Sequence, residues 1–167
     1  MRAASGREAF RALVEADVSF IVAGGLAVSV HGLLRMTLDI DLVVKLEPAN
    51  IARTFEALAS MGYRPAVPVS AAEFGDATVR ETWVRKTNMR VLRFHSDEHW
   101  ETPVDVFVSE PFPFDEEYDR AVVRELAGVG GIRVVSLRTL MRMKEAAGRP
   151  LDMADLESLR LRMDRHE

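Results

Sequence analysis

Two aspartates separated by one residue place the strongest constraint on what this 167-residue chain can fold into. Asp39 and Asp41 lie in the segment 38–44, whose other residues are all apolar, as expected for a buried strand. Side chains alternate across a strand, so the pattern predicts that both carboxylates point to the same side. Neighbouring carboxylates repel each other, and the pair therefore requires a cation or a set of basic groups that compensates it.

A double glycine precedes this acidic strand. The apolar residues 20–23 run into Gly24 and Gly25, and a short apolar segment of helical character follows. Glycines at a strand-to-helix turn leave the backbone N–H groups open to an anion, although a tight turn without any ligand has the same sequence. Because a carboxylate pair follows the turn, we interpret Gly24 and Gly25 as a phosphate cradle in a metal–nucleotide site.

These residues together resemble the nucleotidyltransferase superfamily, which has the DNA polymerase β-like fold. Its signature is a Gly-Gly or Gly-Ser turn, two acids separated by one residue, and a third acid on a later strand. The small bacterial branch that includes abortive-infection-type toxins is the most similar. The residues that carry the resemblance are Gly24, Gly25, His31, Gly32, Arg35, Thr37, Asp39 and Asp41.

The resemblance implies a set of roles for the acids. Asp39 and Asp41 would bind two Mg²⁺ ions, which prefer hard oxygen ligands. Asp105, the single acid in the apolar segment 103–108, would bind one of these ions and help to deprotonate an acceptor hydroxyl. The alternative for Asp105 is a solvated strand face with an arginine partner. The implied reaction is transfer of a nucleoside monophosphate from a nucleoside triphosphate, with release of pyrophosphate.

Two basic residues complete the expected nucleotide site. Arg35 is expected either to neutralise triphosphate charge or to brace the aspartates. Lys144 falls on the apolar face of the predicted helix 137–147, where its amine must reach water or meet an anion. The resemblance implies that this lysine contacts the nucleotide phosphates. For Asp152, in the following helix, we predict a structural role that includes a salt bridge to Arg149.

Periodicity and turn residues predict an α+β fold, a mixed β-sheet with flanking helices, because helices alternate with strands early and hairpins follow later. We expect one domain over 1–167, with 136–167 forming a C-terminal helical pair. The predicted helices are 6–16 with Ser5 as N-cap, 25–31, one that opens at Pro48, 77–86, 137–147 and 151–164. The predicted strands are 19–23, 38–44, an edge segment 63–69, and the hairpins 89–95 with 103–108 and 122–126 with 132–135.

Composition limits the classes of partner. The formal net charge is −4, which weighs modestly against a long nucleic acid, and the chain contains no cysteine. No apolar run is long enough to cross a bilayer, so we expect a cytoplasmic protein with no membrane partner. The acceptor is left open between tRNA, a protein hydroxyl and a small molecule. A homodimer or a toxin–antitoxin partner is expected, and the alternative to an enzyme is a non-catalytic nucleotide-binding or antitoxin-type protein of the same fold.

Overall fold

A computed structural model describes residues 3–163 of the chain and shows helices packed on a β-sheet. The elements in chain order are α1 Ala3–Glu15, β1 Phe20–Val22, α2 Gly24–Val30, β2 Ile40–Val44, α3 Pro48–Ser60, β3 Arg64–Pro65, α4 Ala71–Gly75, α5 Ala77–Thr87, β4 Val91–His95, β5 Val104–Phe107, α6 Phe114–Arg120, β6 Val122–Leu126, β7 Gly130–Val134, α7 Leu137–Ala147 and α8 Pro150–Met163.

Within the described residues, seven strands form one mixed sheet in the order β3-β4-β5-β2-β1-β7-β6. The pairs β2–β5 and β1–β7 are parallel, and the other neighbours are antiparallel. The prediction of a mixed sheet with flanking helices is therefore confirmed. The parallel pairs require crossovers, and helices supply them between β2 and β5 and between β1 and β7.

The core lies around the three central strands. All three residues of β1 are buried, as are four of the five in β2 and three of the four in β5. These strands are Val- and Ile-rich because central strands lose water on both faces. The buried residues of β5 include one acid, Asp105, which is only 5% exposed. A carboxylate at such a position requires compensation, and this marks the centre of the sheet as the place to look for a site.

The two C-terminal helices pack on each other, and α7 also contacts α2. Ser136 caps α7 by accepting a hydrogen bond from the Thr139 N–H, and Gly148 ends the helix in the left-handed region at φ 62°. Pro150 then starts α8 at a position where its missing N–H costs no hydrogen bond. This sharp helix-to-helix connection brings the first turn of α8 back against the last turn of α7.

Some local predictions were wrong. Ser5 does not cap α1, because the helix starts upstream of it at Ala3. Strand β2 starts at Ile40, so Asp39 precedes the strand instead of belonging to it. The helix α4 was not predicted, although Ser70 and Glu73 form a capping box at its start. The predicted end of the last helix at Asp164 lies outside the described residues. None of the helices within residues 3–163 is long and apolar enough to span a membrane.

Candidate active site

Strand pairing places three of the charged side chains in one row across the sheet. Asp41 in β2 is the parallel partner of Asp105 in β5, and Asp105 is the antiparallel partner of Arg93 in β4. Directly paired residues of neighbouring strands point to the same face. The register therefore fixes the order Arg93, Asp105, Asp41 across three adjacent strands, and no loop geometry is needed to bring them together.

Arg93 holds two of the acids at once. Its Nε donates to Asp105 Oδ1 at 2.8 Å, and its Nη2 donates to Asp105 Oδ2 at 2.7 Å, which makes a bidentate pair. The same Nη2 also donates to Asp39 Oδ2 at 2.8 Å. One nitrogen thus joins the carboxylates of Asp39 and Asp105, and the hydrogen bonds to Asp105 raise the pKa of Arg93. We call Asp39, Asp41 and Asp105 the acid cluster.

Among the residues that the structure describes, no cation is in direct contact with Asp41, unlike the other two members of the acid cluster. Burial, followed by repulsion from Asp105 and Asp39, raises its pKa to about 6. Attraction to Arg149 and a hydrogen bond from the Gly25 N–H oppose this rise without cancelling it. At neutral pH, Asp41 is therefore mostly ionised in surroundings that disfavour its charge.

The glycine turn packs directly against Asp41. Gly24 has φ +61°, and a Cβ on it would lie 1.8 Å from Asp41 Oδ2, so any side chain there would displace the carboxylate. A Cβ on Gly25 would lie 2.7 Å from Thr37 Oγ1. The two glycines let the start of α2 approach β2 and the segment before it, while the Gly25 N–H bonds the carboxylate. Their predicted contact with a triphosphate stays a prediction.

The donor chemistry of the acid cluster fits a hard cation, because all its ligand atoms are carboxylate oxygens. Asp41 adds an unfavourable charge that a bound cation would stabilise. In residues 3–163, however, no three acidic, histidine or cysteine side chains are already arranged to hold a metal ion. In this cluster, Arg93 pairs with both Asp39 and Asp105.

A second set of charges joins the C-terminal helices to the segment before β2. Lys144 is 5% exposed, and its Nζ pairs with Asp152 at 3.1 Å and with Asp155 at 2.7 Å. Asp155 also pairs with Arg35, and Asp152 accepts a 2.6 Å hydrogen bond from the Arg149 Nε. We call these five residues the helix network. It confirms the predicted salt bridge between Asp152 and Arg149.

Both carboxylates of the helix network are paired with cations from within the chain, and this changes the interpretation of Lys144. Burial opposes ionisation of Asp152, but hydrogen bonds from Arg149 and Lys144 outweigh it and lower its pKa. Lys144 lies on the core side of its helix, as its position predicted, and its anions come from α8. Its predicted contact with nucleotide phosphates stays a prediction, as does that of Arg35.

Two arginines that act on the acid cluster were not predicted from the sequence to do so. Arg93 sits opposite Asp105, and the alternative of an arginine partner for Asp105 pointed towards such a residue without naming it. Arg149 was predicted only as a salt-bridge partner, yet it also attracts Asp41, and its side chain is 77% exposed. The Nε2–H of His31 donates a hydrogen bond to the Val135 carbonyl oxygen at 2.8 Å, which joins the residue after α2 to the residue after β7.

An exposed apolar segment borders the site. Leu34, Met36 and Leu38 are 106%, 95% and 63% exposed, and they alternate with the partly buried Arg35 and Thr37. The Ser29 hydroxyl lies 3.3 Å from the carbonyl oxygens of Gly25 and Arg35, which fixes the inner side of this segment. Large apolar side chains at this level of exposure, next to the acid cluster, indicate a surface that meets a ligand or another molecule.

Comparison with solved structures shows that the chain shares its fold with a nucleotidyltransferase. The solution structure of the antibiotic-resistance factor ANT(2'')-Ia, a nucleotidyltransferase, matches with a TM-score of 0.58 and 14% sequence identity. The match covers 99% of this chain and 86% of that one. No protein-family model and no curated protein sequence matches the chain.

Proposed function

We propose that the protein is a metal-dependent nucleotidyltransferase that moves a nucleoside monophosphate from a nucleoside triphosphate to an acceptor hydroxyl. The observation that carries the proposal is the acid cluster itself. Three carboxylates meet beside a glycine turn at the centre of a sheet with the nucleotidyltransferase fold. Asp41 keeps its charge there against burial and repulsion. A fold gains nothing in stability from such an arrangement, which is typical of a functional site.

The reaction assigns a role to each acid. Asp39 and Asp41 would be the ligands of Mg²⁺, and Asp105 would share one ion and take the proton of the acceptor hydroxyl. The acceptor oxygen then bonds to the α-phosphorus as the bond to the β-phosphate oxygen breaks, which releases pyrophosphate. Bound Mg²⁺ would neutralise the charge that develops on the phosphates and on the leaving oxygen. Most of the catalysis would come from positioning and charge neutralisation.

The triphosphate requires cations beside the acid cluster. Arg149 is the most exposed cation of the helix network, and it is close enough to Asp41 to affect its pKa. We therefore expect Arg149 to meet phosphate charge, alongside the backbone N–H groups of Gly24 and Gly25. Lys144 is buried between two carboxylates, and in our proposal it braces α8 so that Arg149 is held in place.

The test supplies each nucleoside triphosphate, labelled at the α-phosphate, with Mg²⁺ and a panel of acceptors. The panel contains tRNA, proteins with exposed hydroxyls, and small molecules that include antibiotics. We expect label transfer with pyrophosphate release by the wild-type protein, and a loss of about 100-fold or more in Asp39→Ala. Asp97→Ala is the matched control, because Asp97 pairs with Arg64 on the exposed surface. Equal background from wild type and Asp39→Ala across the panel would overturn the proposal.

A second candidate is a nucleotide-binding partner protein without catalysis. The apolar segment at residues 34–38 favours it, because such side chains are typical of a protein–protein contact. The paired state of Asp39 and Asp105 with Arg93 also suits a site that does not turn over. Calorimetry separates the two candidates. Tight Mg²⁺-dependent nucleotide binding, without pyrophosphate release on any acceptor, supports the partner protein.

A further inference from the structure

We propose that Arg93 is an internal placeholder for the metal, which must release Asp39 and Asp105 before a cation binds the acid cluster. The inference rests on the proposed function and concerns the regulation of the same site. Its basis is geometric: a single nitrogen, Nη2, donates to Asp39 at 2.8 Å and to Asp105 at 2.7 Å. These two carboxylate oxygens therefore lie no farther apart than the sum of those distances, with a positive charge between them.

The guanidinium of Arg93 lies between the carboxylates of Asp39 and Asp105 and reduces their repulsion, as a bound cation would. Carboxylates that share a site repel each other, and a positive charge within hydrogen-bond distance removes most of the repulsion. Arg93 supplies that charge to two of the three acids and leaves Asp41 out. Two of the three carboxylates in the acid cluster are thus partly neutralised by the protein itself.

Arg93 is able to leave without disturbing the sheet. Its side chain is 49% exposed, although its backbone belongs to a strand paired on both sides, by β3 and by β5. A rotamer change moves the guanidinium into solvent while the β4–β5 register, and hence the position of Asp105, stays fixed. This movement breaks the bidentate pair between Arg93 and Asp105. Metal binding is therefore weakened by the free energy needed to displace a charge-assisted pair.

The acid cluster should therefore bind a divalent metal ion weakly when no nucleotide accompanies it. A metal that arrives with a nucleotide brings phosphate oxygens, and these offer the displaced guanidinium a new partner of the kind that arginine prefers. Arg93 therefore couples metal binding to nucleotide binding, since the exchange is favourable only when both are present. Removing the guanidinium should uncouple them by exposing three carboxylates to any divalent ion.

The experiment measures Mn²⁺ binding to the full-length wild type, Arg93→Gln and Arg93→Lys by calorimetry, without nucleotide. We expect Arg93→Gln to bind Mn²⁺ at least about fivefold more tightly, because a unit positive charge a few ångströms away is gone. Arg93→Lys should fall between the two, since an ammonium keeps the charge but lacks the fork that spans both acids. Arg64→Gln is the matched control, because Arg64 lies on the neighbouring strand β3 and pairs with an exposed acid.

Thermal unfolding supplies a readout that does not depend on activity. Arg93→Gln should melt lower than wild type without metal, and Mn²⁺ should raise its melting temperature by more than it raises that of wild type. Unchanged or weaker Mn²⁺ binding in Arg93→Gln overturns the inference, because Arg93 would then only position the acids. The proposed function is judged separately, by label transfer in wild type, so a functional enzyme with unchanged Mn²⁺ binding in Arg93→Gln disproves the placeholder alone.

Discussion

The acid cluster and the helix network are two groups of charges in one small protein, and they are balanced differently. In the helix network, three cations contact two carboxylates, and both carboxylates are nearly buried. In the acid cluster, among the residues the structure describes, Arg93 pairs with Asp39 and Asp105, and Asp41 has no cation in contact. The first group is complete within the chain, whereas the second lacks positive charge.

This difference separates structural charges from functional ones more clearly than burial does. Lys144 and Asp105 are equally buried at 5% exposure. Lys144 nevertheless has two anionic partners, while Asp105 shares its one cation with Asp39 and adds to the repulsion on Asp41. A buried charge that is fully paired is typical of a structural role, and a group of carboxylates with too few cations is typical of a functional site.

The comparison is tested most severely by Lys144→Met, which removes the shared cation of the helix network at similar volume. Asp152 and Asp155 each lose a partner in a buried place, and we expect the free energy of unfolding to fall by about 3–5 kcal/mol. Urea unfolding monitored by circular dichroism measures it. Asp152 keeps Arg149 as a partner and Asp155 keeps Arg35, which limits the loss of stability to this range.

Arg160→Gln is the matched control for Lys144→Met. Arg160 on α8 pairs with Glu145 on α7 at 3.3 Å, with both side chains more than half exposed, so the same two helices lose only a surface pair. We expect a change of at most about 1 kcal/mol. If Lys144→Met also costs less than that, and instead weakens nucleotide binding, the lysine serves the phosphates as the family resemblance implied.

Much of the frame of both groups was predictable from the sequence. The strand identity of 38–44 and 103–108, the glycine turn and the core-facing position of Lys144 follow from periodicity and composition. The sequence did not reveal which residues pair with these charged side chains. Arg93 becomes the neighbour of Asp105 only through the register of the β4–β5 hairpin, and the loop between these strands is too long for its length to fix that register.

The helix network shows the same limit. A lysine on an apolar helix face has to find an anion, and from the sequence a nucleotide and an acid on the next helix satisfy this need equally. The tight connection at Gly148 decided between them in the structure, because it folds Asp152 and Asp155 back onto Lys144. Asp39 was also predicted within β2, yet the strand starts one residue later, and its contact with Arg93 depends on the preceding segment.

Asp41→Asn tests the other side of the comparison through pH. The folded pKa of Asp41, about 6, lies above its ordinary value of 3.8, so the native state binds the proton more tightly than the unfolded chain. Stability from this group is fully present below pH 4 and is lost as the pH rises through 6. At pH 8 the ionised side chain costs about 3 kcal/mol, since each pKa unit is worth about 1.4 kcal/mol. Asp41→Asn should recover about this amount.

Unfolding curves at pH 5 and pH 8 measure the effect. Wild type should lose stability between these values, and Asp41→Asn should lose less. Asp97→Asn is the control, because this acid is exposed and pairs with Arg64, and its substitution should change stability by no more than about 0.5 kcal/mol at either pH. Parallel wild-type and Asp41→Asn curves would mean that Asp41 is already compensated, and the contrast with the helix network would disappear.

Substitution of Arg35 should have the smallest effect on stability. It also distinguishes the two groups of charges most directly, because Arg35 belongs to the helix network and lies four residues before Asp39. Its guanidinium pairs with Asp155, and its carbonyl oxygen lies 3.3 Å from the Ser29 hydroxyl, so it fastens the segment that delivers Asp39 to Arg93. We expect Arg35→Gln to lower the free energy of unfolding by about 1 kcal/mol, since the pair is partly exposed. Nucleotide affinity should change by less than about threefold, which is under 1 kcal/mol.

A large loss of nucleotide affinity with unchanged stability would assign Arg35 to the nucleotide site instead of the helix network. A phosphate contact predicts unchanged stability and a loss of nucleotide affinity of about tenfold or more, because a charge-assisted hydrogen bond to the ligand disappears. Arg35→Lys sharpens the distinction, since a lysine keeps the charge near the phosphates but loses the planar geometry of the pair with Asp155. If Arg35→Lys restores nucleotide affinity and neither variant changes stability, a cation of the helix network serves the nucleotide site beside the acid cluster.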